Sequence, residues 1–119
     1  MVKVRDDIPR LANGAVDIAA WSSAVATDGH DIDAAVLANA ARVTAAVPEA
    51  GERYLESGLE IGQLVVGLGM DTASVAAAIV YRPVRAGVLG AAELSEALGA
   101  DIAELVAAVA RVATTSLLE

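Results

Sequence analysis

The run Glu52-Arg53-Tyr54-Leu55-Glu56-Ser57-Gly58-Leu59-Glu60-Ile61-Gly62-Gln63-Leu64-Val65-Val66-Gly67-Leu68-Gly69-Met70-Asp71 decides the fold. Leu55, Leu59, Gly62, Val65 and Val66 recur three and four residues apart, the period of a helix and not the alternation of a strand. The spacing predicts a helix over 52–68, apolar on most sides as a central helix would be. Gly69 stands where a left-handed residue ends a helix, and Asp71 stands where a carboxylate caps the next one.

That next helix runs through Thr72, Ser74 and an Ala-rich segment to Val80, and Pro83 is expected to stop or kink it. Upstream, Ile18, Trp21 and Val25 define a helix over 16–26, with Trp21 as a core anchor. Residues 27–31 then read as a turn. Asp31 is the expected N-cap of a helix carrying Ile32, Val36, Leu37, Ala40 and Val43, closed by Pro48.

Downstream, a short helix starts near Ala91, carries Leu94 and Leu98, and ends at Gly99. Asp101-Ile102-Ala103-Glu104 reads as an acidic capping box opening a last helix, with Leu105, Val109 and Val112 as its buried stripe. Residues 1–15, with Pro9, Asn13 and Gly14, hold no sustained period and read as an arm or a short irregular lead-in. The expectation is an all-α bundle of about six helices over 16–119.

Composition agrees. A chain of 119 residues supports one core. Its 56% hydrophobic content is almost wholly aliphatic, with no Phe, one Trp and two Tyr, which favours helix over strand. A formal charge of −8 opposes direct binding to nucleic acid or to an anionic membrane, since both recruit clustered Lys and Arg. With no Cys, disulfides, thiolate metal sites and cysteine nucleophiles are excluded. No apolar run reaches a membrane span, and Asp6 and Asp7 replace the basic start of a signal peptide, so a cytoplasmic location is expected. The abrupt end at Leu118-Glu119 after an apolar run predicts a piece of a longer protein.

The segment from Tyr54 to Val112 carries a more specific pattern: Tyr54-Leu55-x-x-x-Leu59-Glu60-Ile61, Leu68-Gly69-Met70-Asp71, Val75-Ala76-Ala77-Ala78-Ile79-Val80, and Leu98-Gly99-x-x-Ile102-Ala103-Glu104-Leu105-Val106. In this order and spacing it resembles the N-terminal HD-type hydrolase domain of the RelA/SpoT family, over about half the chain. Met1-Val2-x-Val4-Arg5 resembles the start of RelA-type chains. The resemblance implies an HD-like helical bundle, here incomplete.

In the family's bifunctional members this domain degrades (p)ppGpp, using a manganese ion held by a His, an adjacent His-Asp pair and a later Asp, with a Glu-Asp pair completing the centre. Imidazole and carboxylate fix the cation, which activates a water against the 3′-pyrophosphate. Carried onto this sequence, the first His position is Ser57, the His-Asp pair is Tyr81-Arg82, and the Glu-Asp pair is Arg85-Ala86. Arg82 and Arg85 put permanent positive charge where a divalent cation would sit.

The pattern therefore resembles monofunctional RelA-type synthetases, whose hydrolase domain persists without its ligands. It implies a structural and regulatory module beside a GTP pyrophosphokinase that uses ATP, GTP and Mg²⁺, with the synthetase domain of the same chain and, through the full-length protein, the ribosome as partners. No metal and no catalytic residue is expected in the 119 residues themselves. The later Asp position would fall beyond Glu119. An incomplete bundle leaves an apolar face uncovered, so self-association is also expected.

Several features have plainer readings. His30 among Asp28, Asp31 and Asp33 fits no ligand loop and reads as a solvated turn. Arg82 and Arg85 form either a vestigial nucleotide or anion contact, or they face solvent or pair with nearby carboxylates such as Glu93 or Glu96. Tyr81 reads as packing that fills the vacated metal cavity. Gly62, Gly67 and Gly69 read as close helix packing and not as a phosphate loop. The rival functions are a free-standing helical interaction module unrelated to (p)ppGpp, and a metal-dependent phosphohydrolase built from other residues.

Overall fold

A computed structural model describes the backbone of residues 8–28 and 31–118, with the side chains of all these except residues 28 and 111–118. Six helices follow in order: α1 (Ile18–Asp28), α2 (Ala34–Ala45), α3 (Gly51–Gly67), α4 (Thr72–Arg85), α5 (Ala91–Leu98) and α6 (Ala100–Leu118). Among the described residues there is no strand, only an isolated antiparallel bridge from Arg10 to Val16. The fold is the expected all-α bundle.

Local chemistry sets the helix ends. Asp17 Oδ1 accepts from the Ala20 amide at 3.1 Å, so α1 begins two residues later than its apolar spacing predicts, and Val16 is buried just ahead of it. Asp31 is not the cap of α2. It takes a left-handed backbone, φ 58°, and Asp33 caps instead, accepting from the Ala35 amide at 3.0 Å. Thr72 Oγ1 fastens this turn to the start of α4 by accepting from the Asp33 amide and donating to the Asp31 carbonyl. Gly69, φ 80°, ends α3 and Asp71 caps α4, both as the sequence predicts.

The last helix differs from expectation in two ways. Its first turn starts at Ala100, because the Gly99 amide closes α5 by donating to the Ser95 carbonyl while the Gly99 carbonyl accepts from the Ala103 amide, which leaves Asp101 inside the helix and not capping it. A side-chain cap of that kind operates at α5, where Glu93 Oε1 accepts from the Gly90 amide at 2.9 Å. The buried stripe of α6 is also rotated: Ala103 and Val106 are buried, while Leu105 and Val109 are 38% and 45% exposed. Val112 lies outside the described side chains.

The centre of the bundle is α4, which packs on α2, α3 and α6. This corrects the assignment of that place to α3, which leaves Leu64 in its last turn and Leu68 just past its end exposed. The core gathers Trp21, Leu37, Leu59, Val75, Ile79, Val80, Leu94 and Val106, each at most 1% exposed. With no Phe available, small residues fill the remaining space and helix backbones approach closely.

Backbones approach closely at two places, where Gly51 at the start of α3 meets the Ala45 carbonyl at the end of α2, and where α3 crosses α4. A Cβ at Gly58 would overlap the carbonyl oxygen of Ile79, and one at Gly62 would come 3.2 Å from Ile79 Cγ1. Pro83 offers no N–H to that same Ile79 carbonyl. The helix nonetheless continues to Arg85, with the Pro83 ring fully buried, so the proline neither stops α4 nor ends it. Of the glycines read as packing residues, Gly62 is one, Gly69 is a turn, and Gly67 faces open space. Gly58 is the tighter contact.

Residues 8–17 fold back on the bundle and do not trail from it. Leu11 and Ala15 close a tight turn, the Asp17 amide donates to Pro9, and Arg10 pairs with Glu56 at 2.7 Å. Both charges of that pair are partly exposed, so it contributes at most ~1 kcal/mol.

Candidate functional site

Four of the five positions singled out in the sequence line one cavity of about 350 Å³: Tyr81, Arg82, Arg85 and Ala86, joined by Tyr54. The fifth, Ser57, binds its rim, its hydroxyl meeting Arg82 Nη1 at 2.9 Å. Residues 25 positions apart are thus brought into contact by the α3–α4 crossing. Tyr54 enters the sequence reading only as part of the resembling pattern and not as a site residue, although it stands one helical turn before Ser57 and so on the same face.

The helix geometry explains the gathering. Tyr81, Arg82 and Arg85 fall three and four apart on the last turn of α4, and Tyr54 and Ser57 three apart on α3. The Gly58 contact with Ile79 lets the two backbones touch one turn away, which fixes the distance between their faces.

Arg82 and Arg85 are exposed, and among the described residues neither forms an ion pair. Of the two plain readings, solvent-facing or paired with Glu93 or Glu96, the exposed side chains fit the first, and Glu93 is used at the Gly90 amide. Helix capping does not occupy them either. The carbonyls of Arg82, Pro83 and Val84 are taken by backbone amides of Ala86, Val88, Leu89 and Gly87.

A divalent cation does not suit this donor set. The cavity offers one hydroxyl at its rim, two phenols and two guanidinium groups, and no carboxylate or imidazole lines it. Among the described residues no group of three His, Asp or Glu side chains comes together anywhere. Asp33 serves as a cap, and His30 lies outside the described residues.

A second cavity of about 310 Å³ lies between α3, α4 and α6, lined almost wholly by apolar atoms of Ile61, Ala77, Ala78, Leu105 and Val109. Tyr81 is the wall common to both cavities. It is half-buried, so it separates the two spaces without filling either. Among the described residues no helix is long and apolar enough to cross a membrane.

The remaining titration signal lies at the opposite end of α4. Hydrogen bonds from the Ser74 amide and side chain hold the Asp71 carboxyl below the ordinary carboxylate range.

Neither a curated protein nor a solved structure matches the chain. Residues 34–119, which span α2 to α6, match the HD domain family.

Proposed function

From the premise that this chain belongs to the HD domain family, we propose that it is a non-hydrolytic member of RelA/SpoT type, the degenerate hydrolase module of a GTP pyrophosphokinase. Its role is structural and regulatory toward the synthetase domain. The parent enzyme transfers pyrophosphate from ATP to the 3′-hydroxyl of GTP or GDP, with Mg²⁺, during amino-acid starvation, and none of the residues for that transfer lies in this chain. The ribosome is a partner only through the full-length protein.

The observation that carries this reading is the Arg82–Ser57 hydrogen bond at 2.9 Å. It joins the two helix positions from which the family's hydrolases hold their metal, and it puts a guanidinium between them. A guanidinium stays protonated at any physiological pH and repels a divalent cation. Without the cation no water is activated, so a hydrolytic role has nothing to run on.

The test is direct. The chain incubated with ppGpp and manganese should release no pyrophosphate above a blank, and turnover removed by no contaminant control would overturn the reading. A free-standing interaction module is the second reading, favoured by the exposed Leu105 and Val109 beside an apolar cavity. It gains if the open reading frame carries no synthetase.

A further inference from the structure

We propose that the cavity formed by Tyr54, Tyr81, Arg82 and Arg85 is an anion site for a diphosphate group, free or borne by a nucleoside. The inference rests on the reading that no catalytic metal occupies this place, and it adds a ligand of opposite charge.

The first ground is local charge. The chain carries 16 acidic and 8 basic residues, yet this cavity is lined by two arginines and no carboxylate. At physiological salt, charges more than about 8 Å away are largely screened, so a ligand inside responds to the two guanidinium groups and not to the acidic surface as a whole.

The second ground is unspent donors. A guanidinium has five N–H donors in a planar fork suited to phosphate oxygens. Arg82 spends one on Ser57, which also fixes its direction, and Arg85 forms no hydrogen bond among the described residues. Among the described residues the two plainest alternative employments, ion pairing and capping of the α4 carbonyls, are both absent. Two forks on one helical turn offer two anionic groups, which favours a diphosphate over a single phosphate.

The third ground is the setting. Neither Tyr54 nor Tyr81 hydrogen-bonds through its phenol among the described residues, so each presents a hydroxyl donor and an aromatic face at the cavity wall. Both arginines sit on α4, and Tyr54 and Ser57 on α3, two helices packed closely at Gly58, so little order must be gained on binding.

The experiment is calorimetric titration of the 119-residue chain with inorganic phosphate, pyrophosphate, ADP and adenosine, without divalent metal. Pyrophosphate and ADP should bind with a Kd on the order of 1 mM or tighter, phosphate about tenfold more weakly, and adenosine not at all. Arg82→Gln and Arg85→Gln should each weaken binding about tenfold, while Arg53→Gln, outside the cavity, should leave it unchanged. Circular dichroism checks that each variant is folded, as expected for exposed positions.

ADP binding tighter than pyrophosphate, with the gain lost in Tyr54→Leu or Tyr81→Leu, identifies a nucleotide; equal binding identifies the bare anion. Both support the site. No diphosphate binding below about 10 mM, or equal binding by the Arg82→Gln/Arg85→Gln double variant, overturns it. That failure leaves the non-hydrolytic reading intact, whereas turnover of ppGpp would overturn that reading and remove the premise of this one with it.

Discussion

The two sides of α4 are built differently. Toward α3 the backbones touch, with Gly58 against the Ile79 carbonyl and Gly62 beneath the Ile79 side chain. Toward α6 the contact holds through Ala103 and Val106 but opens into an apolar cavity flanked by the exposed Leu105 and Val109. The tight side positions Ser57 and Arg82 to within a hydrogen bond. The loose side leaves apolar surface available to a partner or to a second copy. The candidate site thus lies on the tightly packed side of α4, although no carboxylate or imidazole lines it.

The sharpest way to break this contrast is to add one methyl group. Gly58→Ala drives a Cβ into backbone that cannot rotate away, and should cost about 3 kcal/mol in urea unfolding. Gly67→Ala, on the same helix but in open space, should gain up to ~1 kcal/mol. Equal effects at the two glycines would erase the distinction.

Leucine truncation probes the same contrast. Leu59→Ala, at a fully buried position on the tight side, should cost about 3 kcal/mol. Leu105→Ala on the loose side should cost under ~1 kcal/mol and shift any self-association seen by sedimentation toward monomer.

The smallest effect concerns the N-terminal end of α4. The folded Asp71 carboxyl titrates below its unfolded counterpart, so its contribution is complete above the unfolded pKa and is lost as pH falls through the lowered folded one. Wild-type and Asp71→Asn chains should therefore differ in Tm at pH 7 and converge in strong acid. A constant gap down to the lowest pH would remove the assigned hydrogen bond to Ser74.

Much of this was legible in the sequence because helix ends are local chemistry. Gly69, Asp71 and Gly99 marked their boundaries without reference to the rest of the chain. The errors arose where tertiary structure chose between equal local options. Asp31 and Asp33 are both competent caps, and the Thr72 hydroxyl, 39 residues from Asp33, fastens the turn in which the second one serves. In α6, Ile102, Ala103 and Val106 make as good a stripe as Leu105, Val109 and Val112, and only the placement of α4 selects the first. Pro83, expected to stop or kink its helix, does not stop it, since α4 continues to Arg85 with the ring buried.

The candidate site was legible by another route. Nothing in the spacing of Ser57 and Arg82 says that they touch; family resemblance named them, and the helix crossing joins them. Tyr54 was missed as a site residue because resemblance to a metal site points only to ligand positions. Its turn-before-Ser57 register was the available signal.

The central claim is that charge inversion at this crossing bars a divalent cation. Manganese titrations followed by electron paramagnetic resonance, on the wild-type chain and on a Ser57→His/Tyr81→His/Arg82→Asp variant, test it most directly. The wild type should leave the spectrum of the free ion unchanged beyond weak surface binding, while the variant attenuates it toward one ion per chain. Attenuation by the wild type equal to that of the variant would contradict the account.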